Sequence, residues 1–271
     1  ILTFRPSKTA RAYKKIWMKE ENTSPLRYYT ISQTEKVSKE IANENLIIDY
    51  AMRYGNPSIK NKIINLQNKG CEKIVILPLY PQYAAPTTAT VCDEVYRTLM
   101  KLRWQPNLQI IPHYESEPLY INAIINSLNK KISQIDWKPD VIVASYHGVP
   151  KKYFEKGDPY HCYCHKTTRL ISEKFKKIPI MTTFQSRFGP EQWLQPYTDK
   201  TLESLPKDGK KNILIICPGF SSDCVETLEE ISIEGKESFI ESGGKNFDMV
   251  PCLNDNPDHI ELLKYLIKKY L

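Results

Sequence analysis

The sequence lacks the motifs that mark the commonest nucleotide-dependent and hydrolytic α/β enzymes. It contains neither G-x-G-x-x-G nor G-x-x-x-x-G-K, which argues against a dinucleotide enzyme and against a nucleoside triphosphate enzyme. It also contains no G-x-S-x-G elbow, so a serine hydrolase with that turn fits poorly. Any catalytic chemistry must therefore be sought in other residue patterns.

Dense positive charge and long apolar helices are also absent. The net charge of +7 comes mainly from scattered lysines, so we expect no nucleic-acid partner. This excess of positive charge suits an anionic substrate or peripheral contact with an acidic membrane surface. The longest uncharged run, 74–92, contains Pro78, Pro81 and Pro86, which excludes a membrane-spanning helix. Nothing in the sequence indicates the oligomeric state.

Cysteine usage and the missing signal peptide indicate the compartment. The seven cysteines are odd in number and have no disulfide-framework spacing. No signal-peptide pattern opens the chain. A reducing cytoplasm, on the inner side of the membrane, is therefore the expected location.

Apolar runs alternate with helical patterns along the whole chain, and this alternation predicts parallel sheets covered on both faces. We predict strands at 26–32, 46–52, 73–79, 108–112, 140–146, 179–185, 212–217 and 247–252. We predict helices at 8–19, 35–44, 58–69, 90–103, 117–134, 163–176, 223–242 and 257–270.

A length of 271 residues allows two domains or one large α/β domain. We predict two similar Rossmann-like, doubly wound α/β domains, at 1–116 and 117–271, with a ligand cleft between them. The first domain is expected to be incomplete at its start, and the helix at 257–270 is expected to pack back on it.

Polar loops follow five of the apolar runs, where a doubly wound fold binds its ligands. One of them holds His147, which follows VIVAS and precedes Gly148. A histidine held by a stiff strand and open to a cleft suits a general base or a metal ligand, although a histidine satisfied inside the loop is equally reasonable. Several aromatics lie in these loops, as a large planar ligand would need, but scattered aromatics are more often plain packing.

Four acids recur at helical spacing after the strand at 212–217. Asp223, Glu226, Glu230 and Glu234 share one helix face, which by itself is most simply a solvated face. The alternative is a row of carboxylates that conducts cations or protons into a cleft.

Cys162 and Cys164 form a Cys-x-Cys pair within a His-rich segment, DPYHCYCH. Their spacing is too short for the usual zinc clip, and no second pair lies downstream. We therefore interpret the segment as the start of a helix and not as a structural metal site.

Six long segments resemble the ferrochelatase family, whose members insert ferrous iron into a porphyrin at the end of haem synthesis. They are FRPSKTARAYKKIW with SPL (4–26), MRYGNPSI (52–59), LPLYPQYAAPTTAT (77–90), SYHGVPKKYFEKGDPYHCYCHKTTRL (145–170), FQSRFGPEQWLQPYT (184–198) and CPGFSSDCVETLEEI (217–231). The resemblance implies two Rossmann-like domains that hold protoporphyrin IX between them, with Fe²⁺ as a substrate, no tightly bound cofactor and release of two protons.

The resemblance also implies roles for individual residues. His147 matches the family's active-site histidine, and Glu226 matches its partner acid across the macrocycle. Asp223 and Glu230 match further acids of a helix that the family widens into a π-turn, so all four are candidate ligands for iron. The matching porphyrin contacts are Arg5, Tyr13, Ser24, Arg53, Tyr54, Trp193 and Phe220.

Three departures from the family pattern leave alternatives open. The family begins about one βα unit earlier, so we expect this chain to be incomplete. Cys224 replaces a histidine found in many relatives, and no Cys-rich segment follows residue 271, which predicts that no iron–sulfur cluster is bound. A coproporphyrin or cobalt chelatase of the same fold, or a non-catalytic porphyrin-binding protein, are the competing functions.

Overall fold

The computed structural model describes residues 5–41, 43 and 45–271, with side chains from residue 9 onward. Its helices are α1 (Arg5–Ile16), α2 (Pro25–Glu40), α3 (Ile59–Asn68), α4 (Thr90–Leu99), α5 (Pro118–Ile132), α6 (Lys151–Glu155), α7 (Tyr160–Lys174), α8 (Thr198–Ser204), α9 (Val225–Thr227), α10 (Lys236–Glu241) and α11 (Pro257–Lys268). Two π-helical segments, Ala85–Ala89 and Leu228–Gly235, precede α4 and α10. The strands are β1 (Lys73–Ile76), β2 (Asn107–Ile110), β3 (Val141–His147), β4 (Ile180–Gln185), β5 (Asn212–Ile216) and β6 (Asn246–Met249).

The larger sheet has the order β4-β3-β5-β6, and every pair in it is parallel. Alternate residues of each strand point to opposite faces. On one face, Ile142 and Leu214 pack with α5, α7 and α11. On the other, Val143 and Ile215 pack with α8, the second π-helix and α10. The sheet is therefore covered on both faces, which confirms the predicted α/β class.

The smaller sheet contains the parallel strands β1 and β2. Its core is formed by Ile74 of β1 with Ile59 and Ile63 of α3 and with Val91 and Val95 of α4. This unit precedes the larger sheet in the chain, as the alternating pattern predicts.

The last helix packs against the second. Val37 and Ile41 at the end of α2 form one apolar cluster with Ile260 and Leu263 of α11. Elements from the two ends of the described chain are thereby joined. The division into domains at 1–116 and 117–271 stays a prediction.

The predicted strand at 26–32 is wrong, because this segment is the first half of α2. Ser24 caps the helix by accepting a hydrogen bond from the amide of Arg27 at 3.4 Å, and Pro25 occupies the first turn, where a missing amide hydrogen costs nothing. Thr30, Gln33 and Val37 are buried at a spacing of three and four, which is the spacing of a helix.

Two further predictions need correction. The run at 46–52 forms no strand and contributes only an isolated bridge between Met52 and Ser58. Two short helices, α6 and α8, lie where neither a helix nor a strand is predicted. The helix predicted at 223–242 contains the π-helix Leu228–Gly235 at its centre, which agrees with the widened helix that the family resemblance implies. In the described part of the chain, no helix combines the length and the apolar character needed to span a membrane.

Candidate active site

His147 is the last residue of β3, at the carboxyl end of the larger sheet. Its side chain is half-buried, and its ring centre lies 6.4 Å from that of Phe220. The next residue must be glycine, because a Cβ at Gly148 would lie 2.8 Å from the carbonyl oxygen of Gln185 and 3.2 Å from the ring of Trp193. The tight turn after His147 therefore fixes where its imidazole points.

A hydrogen bond sets the tautomer of His147. Its Nδ1 lies 2.6 Å from the carbonyl oxygen of Gly148, and a carbonyl can only accept. Nδ1 therefore carries the hydrogen, and in the neutral ring Nε2 keeps a free lone pair. A free lone pair on Nε2 is what either a general base or a metal ligand needs.

A helical segment begins after β5 in the chain, with Cys224 as its N-cap residue. The amide of Cys224 donates to Thr227 Oγ1 at 3.0 Å, which caps the first turn. Burial raises the pKa of the Cys224 thiol well above its usual value, so the thiol stays protonated near neutral pH. The Cys224 thiol therefore adds no negative charge beside Glu226.

Asp223 is buried and both of its carboxylate oxygens accept hydrogen bonds. Oδ1 accepts from Thr227 Oγ1 at 3.1 Å and from the amide of Cys252 at 3.2 Å, while Oδ2 accepts from Asn254 Nδ2 at 2.7 Å. These bonds tie the helix start to the loop after β6. Asp223 thus has a structural role here, and its predicted role as an iron ligand stays a prediction.

Glu230 lies in the π-helix and is held by the residue that follows β4. Oε1 accepts from the amide of Ser186 at 2.7 Å, and Oε2 accepts from Ser186 Oγ at 2.5 Å. Burial nevertheless raises the pKa of Glu230, although the bonds to Ser186 and the nearby His147 oppose the rise. Glu230 is therefore within electrostatic range of His147 and is poised to exchange protons closer to neutral pH than an exposed glutamate.

Gln185 connects the strand that carries His147 to the acidic helix, which is the continuous helical segment 225–241 that contains Glu226, Glu230 and Glu234. It is the registered partner of His147 across β3 and β4. Its Nε2 donates to the backbone oxygen of Glu226 at 2.7 Å, and its Oε1 accepts from Ser145 Oγ at 2.7 Å. The helix start is thus fixed relative to the strand end.

The charge of Glu226 acts on two phenols, those of Tyr13 and Tyr80. Burial raises the pKa of Tyr13 in α1, with a further rise from the charge of Glu226. Burial likewise raises the pKa of Tyr80, which interacts with Tyr54, Arg53 and Glu226. Of the predicted porphyrin contacts, Tyr13 is therefore within electrostatic range of Glu226, whereas Arg53 and Tyr54 interact with Tyr80, which is not a predicted contact.

The remaining predicted contacts occupy different environments. Arg53 stacks on Tyr54, with the guanidinium carbon 4.5 Å from the ring centre, and its Nε is buried without a hydrogen-bond partner among the described residues. Trp193 is buried, and its indole nitrogen likewise has no partner there. Ser24 is half-buried as the cap of α2. The side chain of Arg5 lies outside the described part of the structure.

A cavity of about 450 Å³ opens beside Glu230. Ser186, Trp193 and Asp199 line it on one side, and Glu230 and Glu234 line it on the other. Glu234 is exposed, so the cavity connects a half-buried acid of the row to an acid that solvent reaches.

The sequence did not identify Ser186, Gln185 or Asn254 as residues that position the acids. Gln185 and Ser186 could have been suspected from their place directly after an apolar run, but nothing in the sequence distinguishes Asn254. Among the residues that the structure describes, no three His, Cys, Asp or Glu side chains come together as a metal-binding group.

Comparisons with known proteins point to one family. The sequence profile of the ferrochelatase family matches residues 1–271. A protein named ferrochelatase from Allorhizobium ampelinum is 52% identical over 274 residues, which cover 100% of this chain and 80% of that protein. A ferrochelatase from Francisella tularensis subsp. novicida is 49% identical over 273 residues, which cover 99% of this chain and 81% of that protein.

Two solved structures share the fold. SirB from Bacillus subtilis, determined with Fe³⁺, superposes with a TM-score of 0.67 at 13% identity, and the match covers 89% of this chain and 88% of SirB. CbiX, described as the terminal enzyme for biosynthesis of sirohaem in denitrifying bacteria, gives a TM-score of 0.58 at 11% identity, with 92% and 94% covered. At these identities the likeness concerns the fold alone.

Proposed function

The chain belongs to the ferrochelatase family and is a metal chelatase that inserts iron into a porphyrin, and we propose that His147 and Glu226 are its central catalytic residues and protoporphyrin IX its substrate. The reaction must strip water from Fe²⁺ and remove two N–H protons from the macrocycle. The residues around His147 can carry out the proton steps.

The tautomer of His147 is the observation that carries the proposal. Because Nδ1–H is committed to the carbonyl of Gly148, the free Nε2 can take a pyrrole proton or bind the incoming ion. When Nε2 is protonated, the bond to Gly148 still holds the imidazolium in place. Nearby Glu230 stabilises that charge when it is ionised.

The acids would move the released protons away from the cleft. Glu226 lies on the first helical turn, and its backbone is fixed by Gln185. Glu230 comes next, with a pKa raised by burial, and Glu234 is exposed at the outer side of the cavity. A series of carboxylates from a half-buried to an exposed position can also guide a hydrated cation inward. Fe²⁺ is a substrate in this scheme, and no tightly bound cofactor is required.

The apolar wall favours protoporphyrin IX over coproporphyrin. Trp193 lies against the turn that follows His147, and the ring centre of Phe220 lies 6.4 Å from that of His147, while the arginine of the adjacent loop, Arg187, is already paired with Asp199 at 2.7 Å. Such a wall suits the vinyl and methyl edge of a porphyrin, whereas coproporphyrin would place two further carboxylates there. The polar contacts Tyr13, Ser24 and Arg5 are left for the two propionates.

The proposal is tested with a His147→Ala variant under anaerobic conditions. Iron insertion, followed by the absorption of haem, should fall by roughly a hundredfold or more because the proton acceptor is removed. Porphyrin binding, followed by fluorescence, should remain. His113→Gln is the matched control, since His113 pairs with Glu115 at 2.6 Å and lies outside the site. An active His147→Ala protein would refute the mechanism, and a higher kcat/KM for coproporphyrin would refute the choice of substrate.

We further propose a cytoplasmic enzyme that contacts acidic membranes through α1. Arg11 and Lys14 are exposed on this helix, and Trp17 directly after it is 40% exposed. Cations beside an exposed aromatic suit an anionic interface. The protein should sediment with vesicles that contain anionic lipid and not with neutral vesicles, and Trp17→Ser should weaken the binding. Equal binding to both kinds of vesicle would contradict this proposal.

A further inference from the structure

Two histidines on α7 form a pair outside the candidate active site. His161 and His165 are one helical turn apart, and their ring centres are 4.5 Å apart with an interplanar angle of 53°. Both rings lie against Phe184, at 5.8 and 6.1 Å between centres. Phe184 packs with the α5 and α7 side of the sheet, whereas its neighbour Gln185 faces the acidic helix. The pair is therefore on the opposite face of β4 from Glu226 and Glu230.

The pair differs from the other three histidines in having no hydrogen-bond partner among the described residues. His113 pairs with Glu115, while His147 and His259 each pair with a backbone carbonyl. Within the described part of the chain no such bond is found for His161 or His165, and solvent reaches both side chains. Partial burial lowers the pKa of both imidazoles, so both rings are neutral near pH 7. Two neutral imidazoles with free ring nitrogens and adjacent positions are the donors that a borderline metal ion prefers.

We propose that His161 and His165 form a surface binding site for one borderline divalent cation, with Zn²⁺ as the representative ion. Histidines at positions i and i+4 of a helix are a recurring pair of zinc ligands. Two imidazoles that bind one tetrahedral ion at about 2.0–2.1 Å hold their ring centres roughly 5 Å apart. The observed separation of 4.5 Å is close to this value, so a small rotation of the side chains brings both nitrogens onto one ion. Water fills the remaining positions, so the site is open and weaker than a closed structural site.

The neighbouring cysteines are not the ligands in this arrangement. Cys164 is fully buried, and burial raises the pKa of its thiol well above the usual value. Cys162 is exposed and lies one residue beyond His161, and it joins no group of three ligating side chains among the residues described. The Cys-x-Cys spacing therefore places one thiol in the core and one in solvent, and the histidines remain as the paired donors.

The test uses untagged full-length protein carrying His147→Gln, so that the catalytic histidine does not contribute a ligand. Equilibrium dialysis against Zn²⁺ should show one ion that disappears when His161→Gln and His165→Gln are added, and each single change should weaken its binding at least tenfold. Adding His113→Gln instead should leave the ion bound. Unchanged stoichiometry and affinity in the double variant would overturn the proposal.

A second measurement identifies the donor atoms. The zinc K-edge spectrum of the loaded His147→Gln protein should show imidazole and oxygen ligands, with no sulfur at about 2.3 Å. Zn²⁺ should also raise the melting temperature of this protein and not that of the variant lacking both His161 and His165. A sulfur ligand, or loss of the ion in Cys162→Ser with both histidines intact, would assign the site to the thiol and refute the histidine pair.

Discussion

At the scale of single residues, Glu230 is subject to two opposing effects. Burial raises its pKa, while hydrogen bonds from Ser186 lower it. Ser186 has a φ of 64°, a left-handed conformation that is unusual for serine. Its amide and hydroxyl both donate to the Glu230 carboxylate in this conformation. The local backbone is thus shaped to hold one acid of the row.

Ser186→Ala should raise the pKa of Glu230 further, because the ionised carboxylate loses a donor. A hydrogen bond to a charged group contributes about 1.5–3 kcal/mol, which corresponds to about one pKa unit or more. If ionised Glu230 accepts protons during turnover, the acid limb of the kcat/KM profile should move to higher pH by about that amount. Steady-state rates of iron insertion between about pH 5 and 9 measure the shift.

Ser238→Ala is the matched control for this prediction. Ser238 lines the same cavity but makes no hydrogen bond to Glu230. Its profile should coincide with that of the unmodified protein. A profile of Ser186→Ala that is lower in amplitude but unmoved in pH would show that Glu230 does not titrate in the reaction.

At the scale of elements, α1 is attached to the π-helix by an ion pair. Lys15 Nζ lies 2.8 Å from Glu229 Oε1, and the Glu229 carboxylate is largely buried while Lys15 is half exposed. α1 also carries Tyr13, one of the proposed porphyrin contacts. The contact therefore connects the helix that carries a substrate residue to the helix that carries the acids.

Lys15→Glu should loosen α1 without unfolding the protein. The introduced carboxylate and Glu229 would repel each other, so amides of residues 9–16 should exchange hydrogen faster by roughly threefold or more. The KM for porphyrin should rise because Tyr13 is less well held. Lys14→Glu makes the same charge change at an exposed neighbour that has no ion pair among the described residues. Equal exchange rates in the two variants would contradict a role for the pair.

The second helix shows why local patterns mislead. The apolar and aromatic residues at 26–32 resemble a strand, yet Ser24 and Pro25 begin a helix that continues to Glu40. Its buried residues Thr30 and Gln33 are polar, so hydrophobic periodicity did not reveal the buried face. Gln33 can be buried because its Nε2 donates hydrogen bonds to Ser222 Oγ and to the backbone oxygen of Asn254. Such long-range bonds cannot be inferred from neighbours in sequence.

At the scale of the whole molecule, the predictability of the fold differs between the two sheets. Strands β3 and β5 are buried on both faces, so they appear as continuous apolar runs that the sequence reveals. Strands β1 and β2 are only four residues long and partly exposed, and the segment at 46–52 forms no strand. His147 and Glu226 could be placed because His147 ends one buried strand and Glu226 comes soon after another. The hydrogen bond from Asn254 to Asp223 could not be predicted, because that contact depends on how the loop after β6 folds.

Asn254 joins several elements at one buried point. It donates to Asp223 at the helix start, and its backbone oxygen accepts from Gln33 of α2 and from Nδ1 of His259 in α11 at 2.5 Å. His259 is 1% exposed, and burial lowers its pKa to about 4. The neutral form of this histidine is therefore part of the packing that connects α2, α11 and the acidic helix.

This buried histidine should make the protein less stable as the pH falls from about 6.5 toward about 4. In that window the unfolded chain protonates His259 while the folded protein does not, so the free energy of unfolding decreases by up to about 1.4 kcal/mol per pH unit. Above pH 6.5 the contribution is zero, because the ring is neutral in both states.

Urea unfolding between about pH 4.5 and 7 should give a shallower pH dependence of the free energy of unfolding for His259→Asn, whose amide can still donate to Asn254. The same substitution lowers stability at every pH, so the slope and not the midpoint is compared. His113→Gln should keep the steep slope, and equal slopes in His259→Asn and the unmodified protein would show that His259 is not held neutral.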